Sequence, residues 1–182
     1  MLGGMNRPTV LISGAGVAGP TLAYWLARGG FAATVVERSP GRSSGSPVDV
    51  RGPAADVAER MGVMDRLRDA RTRATGLRVV DDDGRSIGRI DLAAAGQGGA
   101  NWVELPRAAL ASALYEAARD DAEFLFDDTV VALEQDAGGV DVRFDRAPPR
   151  RFDLVVGADG LHSTVRALAF GPEREHLRHL GL

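Results

Sequence analysis

"PTVLISGAGVAGPTLAYWLARGGFAATVVER", residues 8–38, decides how the rest of the chain is read. From Pro8 to Ala27 it carries no charge, a property shared by membrane segments, export signals and buried strand–helix units. The glycines separate these readings. Gly14, Gly16 and Gly19 form G-x-G-x-x-G where the β-branched and apolar run Thr9–Ser13 gives way to a helical pattern. In that pattern Ala18, Leu22, Trp25 and Leu26 share one face, and Gly29-Gly30 stops the helix. "ATVVE", residues 33–37, then reads as a second buried strand that ends in a carboxylate. A spanning helix is not followed at once by strand residues and an acid. An export signal needs a basic start and a small-residue cleavage site, and only Arg7 precedes the run. The stretch is a β-α-β unit.

The whole chain bounds what this unit belongs to. Its 182 residues suffice for one core and part of a second, and 45% hydrophobic with 26% charged residues is an ordinary globular composition. A net charge of −3 supplies no basic footprint, so nucleic acid is not an expected partner. The absence of cysteine excludes disulfides, thiolate metal sites, cysteine nucleophiles and flavin attachment through sulfur, and fits a cytoplasmic protein with no membrane span. The loosest stretches, residues 39–47 and 93–99, read as loops rather than linkers. Met5 is an alternative start.

Downstream, the pattern predicts helices near Pro53–Met61 and over Met64–Ala70. "GLRVVDDDGRSIGRIDL", residues 76–92, places strand residues on both sides of an Asp-Gly turn and reads as a hairpin. A short extended piece, Trp102–Leu105, leads into a helix from Pro106 to Arg119, with Pro at its first turn. Strands follow at Glu123–Phe126, Val130–Gln135, Val140–Phe144 and Phe152–Gly157. Parallel β-α units interrupted by hairpins indicate an α/β fold with a Rossmann-like parallel sheet and an inserted β-hairpin and meander.

Each glycine of the first motif has a physical reason. Gly14 permits a tight turn, Gly16 lets the backbone approach a pyrophosphate, and Gly19 lets helix pack on strand. The helix N-terminus offers free N–H groups to phosphate. Glu37 ends the second strand, where a carboxylate accepts both ribose hydroxyls of an adenosine. A Glu37 that touches only ribose predicts that Glu37→Gln costs less affinity than Glu37→Ala. Arg38 reads as solvated or stacked on adenine. The fingerprint alone leaves NAD, NADP and FAD open. The discriminating stretch is "DLVVGADGLHSTVR", residues 153–166, an apolar strand running into Asp159-Gly160, then Ser163 as a helix cap, then Arg166.

With this second motif the sequence resembles the N-terminal part of a class A flavoprotein monooxygenase, the family of aromatic hydroxylases and tetracycline-inactivating enzymes. Gly14, Gly16, Gly19, Glu37 and Arg38 match the family's first motif, and Asp159, Gly160, Ser163 and Arg166 its second. The resemblance implies FAD as cofactor, NAD(P)H as electron donor, and a small aromatic or polyketide-like substrate that is hydroxylated with dioxygen. It places Asp159 near the FAD pyrophosphate. "VELPRAALASAL", residues 103–114, resembles the segment in which Arg107 reaches the flavin side. "VDVRGPAADVAERMGV", residues 48–63, resembles the loop and helix that pass over the flavin ring, with Arg51 a weaker contact. No catalytic dyad is expected, because in this family the cofactor carries the chemistry.

The resemblance makes residues 1–182 an FAD-binding domain, discontinuous over about 1–75 and 101–182. The hairpin at about 76–100 belongs to an incomplete substrate domain. The family's next motif, a Gly-Asp pair at the ribityl chain, has no match, and relatives are about twice as long. The expected partners are therefore a missing C-terminal half or a second copy. Two rival readings remain open at this stage: a non-catalytic FAD- or nucleotide-binding module, and an NAD(P)-dependent dehydrogenase. "DDDG", residues 81–84, is similar to a calcium loop but has the spacing of a hairpin turn. His176 and His179 have no third ligand in reach, so no metal is expected. His162 reads as exposed.

Overall fold

The first strand, β1 (Thr9–Ser13), lies in the middle of a parallel sheet because both of its faces are apolar. In this computed structural model, which describes residues 7–40, 46–92 and 102–181, the sheet has the order β11-β1-β2-β7. Its other members are β2 (Ala32–Glu37), β7 (Glu123–Phe126) and β11 (Leu154–Gly157). The chain divides into two units, Met1–Ser43 with Leu114–Leu182, and Ser44–Ala113.

In the first unit, α1 (Ala18–Arg28) covers one face of the sheet. The expected apolar stripe is corrected here. The buried residues of α1 are Gly19, Pro20, Ala23 and Tyr24, whereas Ala18 is exposed and Leu22, Trp25 and Leu26 are half-buried. Gly19 dictates this choice, because the helix approaches the sheet over the one residue with no side chain. The other face carries Leu11 and Val36 against a meander of β8 (Val130–Asp136), β9 (Gly139–Phe144) and β10 (Arg150–Phe152). Val130, Val140, Val142, Phe144 and Phe152 complete that core. The helix α4 (Arg107–Ala118) ends in this unit, where Tyr115 meets Phe124 edge-on at 4.8 Å.

The strand expected over Phe152–Gly157 is two strands. β10 pairs antiparallel with β9 through Phe152, and β11 pairs parallel with β1 from Leu154 onward. Asp153 is the joint: its carboxylate accepts the Thr9 N–H at 2.6 Å and the Thr9 hydroxyl at 2.8 Å. Periodicity alone cannot show this break, because both strands bury the same residue types.

The second unit contains β3 (Pro47–Arg51) paired antiparallel with β6 (Trp102–Pro106), and α2 (Pro53–Arg60) and α3 (Met64–Asp69). Val50, Ala55, Ala58, Met64, Leu67, Val103 and Leu105 are buried there. The sequence reading took the start of residues 48–63 as loop. The segment is a strand only because of a partner about fifty residues away, which no local pattern reveals. The hairpin is present as β4 (Gly76–Val80) and β5 (Ser86–Asp91), and Asp81 Oδ1 accepts the N–H groups of Asp83 and Arg85 in its turn. Leu77 pairs with Ile90 across it, and both remain about half exposed, at 54% and 46%. The loop expected over residues 93–99 and most of that over 39–47 lie outside the described residues, as does Met5.

Asp128 ties the loop after β7 to the turn between β9 and β10. Its carboxylate accepts N–H groups from Thr129 at 2.8 Å, Arg146 at 3.0 Å and Ala147 at 2.9 Å. Burial pushes this carboxyl up, but the backbone N–H groups outweigh it and hold it below the ordinary aspartate range. Both oxygens accept, so an amide there faces N–H against N–H. Asp128→Asn is expected to cost about 1–3 kcal/mol, read as a lowered thermal midpoint. A depressed pKa stabilises fully well above the unfolded value of about 3.9 and fades as pH falls through the folded one. The difference between wild type and Asp128→Asn should therefore shrink in acid.

Candidate functional site

The carboxyl ends of the four parallel strands bring together Gly14 after β1, Glu37 at the end of β2, Asp128 after β7 and Asp159 after β11. In open α/β sheets this edge is where ligands collect. The glycine turn is built by contact. Gly14 has φ 106°, and a Cβ there would lie 2.5 Å from the Ala158 carbonyl oxygen. A Cβ on Gly19 would lie 1.8 Å from the Gly14 oxygen. The third glycine differs: a Cβ on Gly16 meets nothing within 4 Å. Two glycines are thus required by the fold itself, while Gly16 is required by nothing inside the described chain. Its backbone is therefore open to close approach from outside the chain.

Two helices start at this edge, and their ends differ. The N-terminus of α1 has no side-chain cap, no acid in its first turn, and a proline at Pro20. A helix start without a side-chain cap leaves first-turn N–H groups of the kind that suit a phosphate. By contrast α5 (Thr164–Phe170) is closed. Ser163 Oγ accepts the Arg166 N–H at 3.0 Å, and Asp159 Oδ2 accepts those of Thr164 at 2.8 Å and Val165 at 3.1 Å. Asp159 also receives hydrogen bonds from the hydroxyls of Ser163 and Ser13. Ser13 escaped the sequence reading; its only signal was a hydroxyl ending an apolar strand.

The remaining candidates are placed as follows. Glu37 Oε2 accepts the Ala15 N–H at 2.8 Å and Oε1 the Ser39 N–H at 2.9 Å. Arg38 is exposed beside it. Gly160 has φ 80° with open space around its Cβ position. Arg166 does not extend freely into the site: its guanidinium donates to the Leu161 carbonyl at 2.8 Å and to Glu173 at 3.2 Å. Arg51 and Arg107 belong to the other unit. Within it they sit apart, since Arg51 pairs with Trp102 at one end of the β3–β6 ribbon and Arg107 follows Pro106 at the other. The three histidines are dispersed: His162 meets Glu173, His176 the Phe170 carbonyl, and His179 the Gly181 N–H. Among the described residues no cluster of His, Asp and Glu could hold a metal, and no helix is long and apolar enough to cross a membrane.

A glycine turn under an uncapped helix, with a carboxylate at the end of the neighbouring strand, suits the adenosine diphosphate part of a dinucleotide. The sequence profile of the FAD binding domain family matches residues 7–176. The chain belongs to this FAD-binding family. It is 48% identical over 176 residues to an uncharacterised protein of Mycobacterium tuberculosis, covering 95% of this chain and 47% of that protein. It is 38% identical to the monooxygenase CTB7 of Cercospora beticola, covering 90% of this chain and 41% of that one. The solved tetracycline destructase Tet(51) superposes with a TM-score of 0.79 at 35% identity, covering 91% of this chain and 42% of its own. The FAD-binding chain thus spans less than half the length of the relatives it matches.

The glycine geometry separates fold from binding. Gly19→Ala, with backbone 1.8 Å from the new Cβ, is expected to lower the thermal midpoint sharply or prevent folding. Gly16→Val has room and should keep the wild-type far-ultraviolet circular dichroism while losing nucleotide affinity. Retained binding by Gly16→Val would place the phosphates elsewhere.

Proposed function

We propose that this chain is the FAD-holding part of an NAD(P)H- and dioxygen-dependent monooxygenase that hydroxylates an aromatic or polyketide-like small molecule. The observation that carries the reading is the open N-terminus of α1 behind Gly16, in a chain whose relatives include named monooxygenases. In this reading the N–H groups of the first α1 turn and the bare backbone at Gly16 hold the pyrophosphate, and Glu37 accepts from the ribose. Arg38 lies beside the adenine. Held by these residues, FAD would supply hydride acceptance from a reduced nicotinamide and activation of dioxygen.

Asp159 and Gly160 shape the wall beside the glycine turn, and Arg166 braces that wall through Leu161 and Glu173. Arg51 and Arg107 are the candidates on the flavin side. The hairpin within about residues 76–100 is assigned to the substrate side, supported by the apolar row of Leu77, Val79 and Ile90 that it leaves exposed. A two-stranded hairpin is marginal in water without further strands, so this row calls for a sheet partner. The relatives' greater length is where such strands are available. The second reading, a flavin-binding module with no activity of its own, is favoured by the same lengths.

Titration of the 182-residue protein with FAD, followed by flavin fluorescence, should show saturable binding that ADP competes away. The chain alone is expected to give no substrate hydroxylation above background. Addition of the C-terminal half of a 48% identical relative, fused or as a second polypeptide, should restore NAD(P)H-dependent product formation. FAD binding without restoration supports the binding module. Failure of ADP to compete overturns the assignment of the adenosine site.

A further inference from the structure

Glu37 is held before any nucleotide arrives. Its two carboxylate oxygens accept N–H groups from different loops: Ala15, inside the glycine turn after β1, at 2.8 Å, and Ser39, in the chain after β2, at 2.9 Å. The same two segments are also joined through backbone, by the Gly14 N–H on the Val36 carbonyl at 2.7 Å. The far side of the clamp is anchored as well. The Glu37 carbonyl accepts from the Asp128 N–H at 3.1 Å and the Ser39 carbonyl from the Asp127 N–H at 3.4 Å. Among the described residues Glu37 is the side chain that ties the glycine turn to this anchored segment.

We propose that Glu37 is a positioning residue for the glycine turn, and that it sets pyrophosphate affinity through Ala15 in addition to any contact with ribose. The inference rests on the nucleotide site proposed above. A carboxylate offers about four acceptor positions, and the two backbone donors leave capacity for ribose hydroxyls. Both roles can therefore hold at once. The positioning role makes a demand that ribose contact does not. It needs an acceptor on both oxygens, and glutamine has only one. In Glu37→Gln the amide NH2 must face the N–H of Ala15 or of Ser39, so one tie is replaced by two opposed donors. The expectation drawn from ribose contact alone, that Gln is the milder substitution, thereby fails: Gln is as costly as Ala.

Two measurements decide. The first is hydrogen exchange of backbone amides in the ligand-free protein. Ala15 should be protected in wild type, and its exchange should accelerate at least about tenfold in Glu37→Gln, the factor expected for one lost hydrogen bond. An Ala15 amide that exchanges freely in wild type overturns the proposal without reference to any variant. The second is a ligand-truncation cycle with 2′,3′-dideoxy-ADP, which keeps the diphosphate and lacks both hydroxyls that Glu37 could accept from. A Glu37 that acts only on ribose is silent toward this probe, so equal affinities for wild type and Glu37→Gln overturn the proposal. A positioning Glu37 predicts binding about 5- to 30-fold weaker in Glu37→Gln, with Glu37→Ala losing a similar factor. Wild type that binds neither ADP nor FAD sinks the nucleotide site itself, and Ala15 exchange then decides the clamp alone.

Discussion

The structure depends on one close approach. At Gly14 the chain runs between the carbonyl of Ala158 on one side and the start of α1 at Gly19 on the other, and neither position has room for a methyl group. Because α1 is seated directly on the turn, its N–H groups emerge at the carboxyl edge of the sheet. Because the Ala158 turn is seated there too, β11 and α5 start beside the same spot. Hydrogen bonds confirm the alignment, with the Ala158 N–H donating to the Ser13 carbonyl at 2.8 Å and the Gly14 N–H to the Val36 carbonyl at 2.7 Å. The geometry of the proposed pyrophosphate site is a consequence of this contact rather than a separate design.

Around that contact the loops are held by carboxylates that accept backbone N–H groups. Glu37, Asp128 and Asp159 each perform this task at a strand's carboxyl end, and Asp153 does so at the opposite end, on Thr9. Charge-assisted bonds of this kind are stronger than neutral ones and fix loops that carry little apolar surface. They also sort the two helix ends. The end of α5 is closed by Asp159 and Ser163, whereas that of α1 has no side-chain cap. An acid that marks a ligand site in sequence can thus have most of its hydrogen bonds inside the protein.

Much of this was legible in the sequence, and the remainder was hidden for identifiable reasons. The glycine turn, β1, β2, the hairpin turn at Asp81–Gly84 and the Ser163 cap depend on local chemistry, so spacing and residue type revealed them. The strand β3 escaped because its stability comes from β6, and the break at Asp153 because β10 and β11 share one apolar pattern. The face of α1 was misjudged on the assumption that large residues point inward. Here Gly19, Pro20, Ala23 and Tyr24 take the buried positions, with Gly19 bringing the helix start against the Gly14 backbone. Glu37 and Asp159 stand out in the sequence as candidate site residues, but their backbone partners do not. A carboxylate's pattern in sequence is the same whether it faces a ribose or an N–H group.

The central claim is that the α1 end is the open one and the α5 end is closed. It is tested most directly by following backbone amide resonances of the isotope-labelled protein during titration with FAD. The account predicts that the largest shifts fall on Gly16, Val17, Ala18 and Gly19, with Thr164, Val165 and Arg166 nearly unmoved because Asp159 and Ser163 already hold them. Largest shifts on Thr164–Arg166, with the glycine turn unchanged, would contradict it.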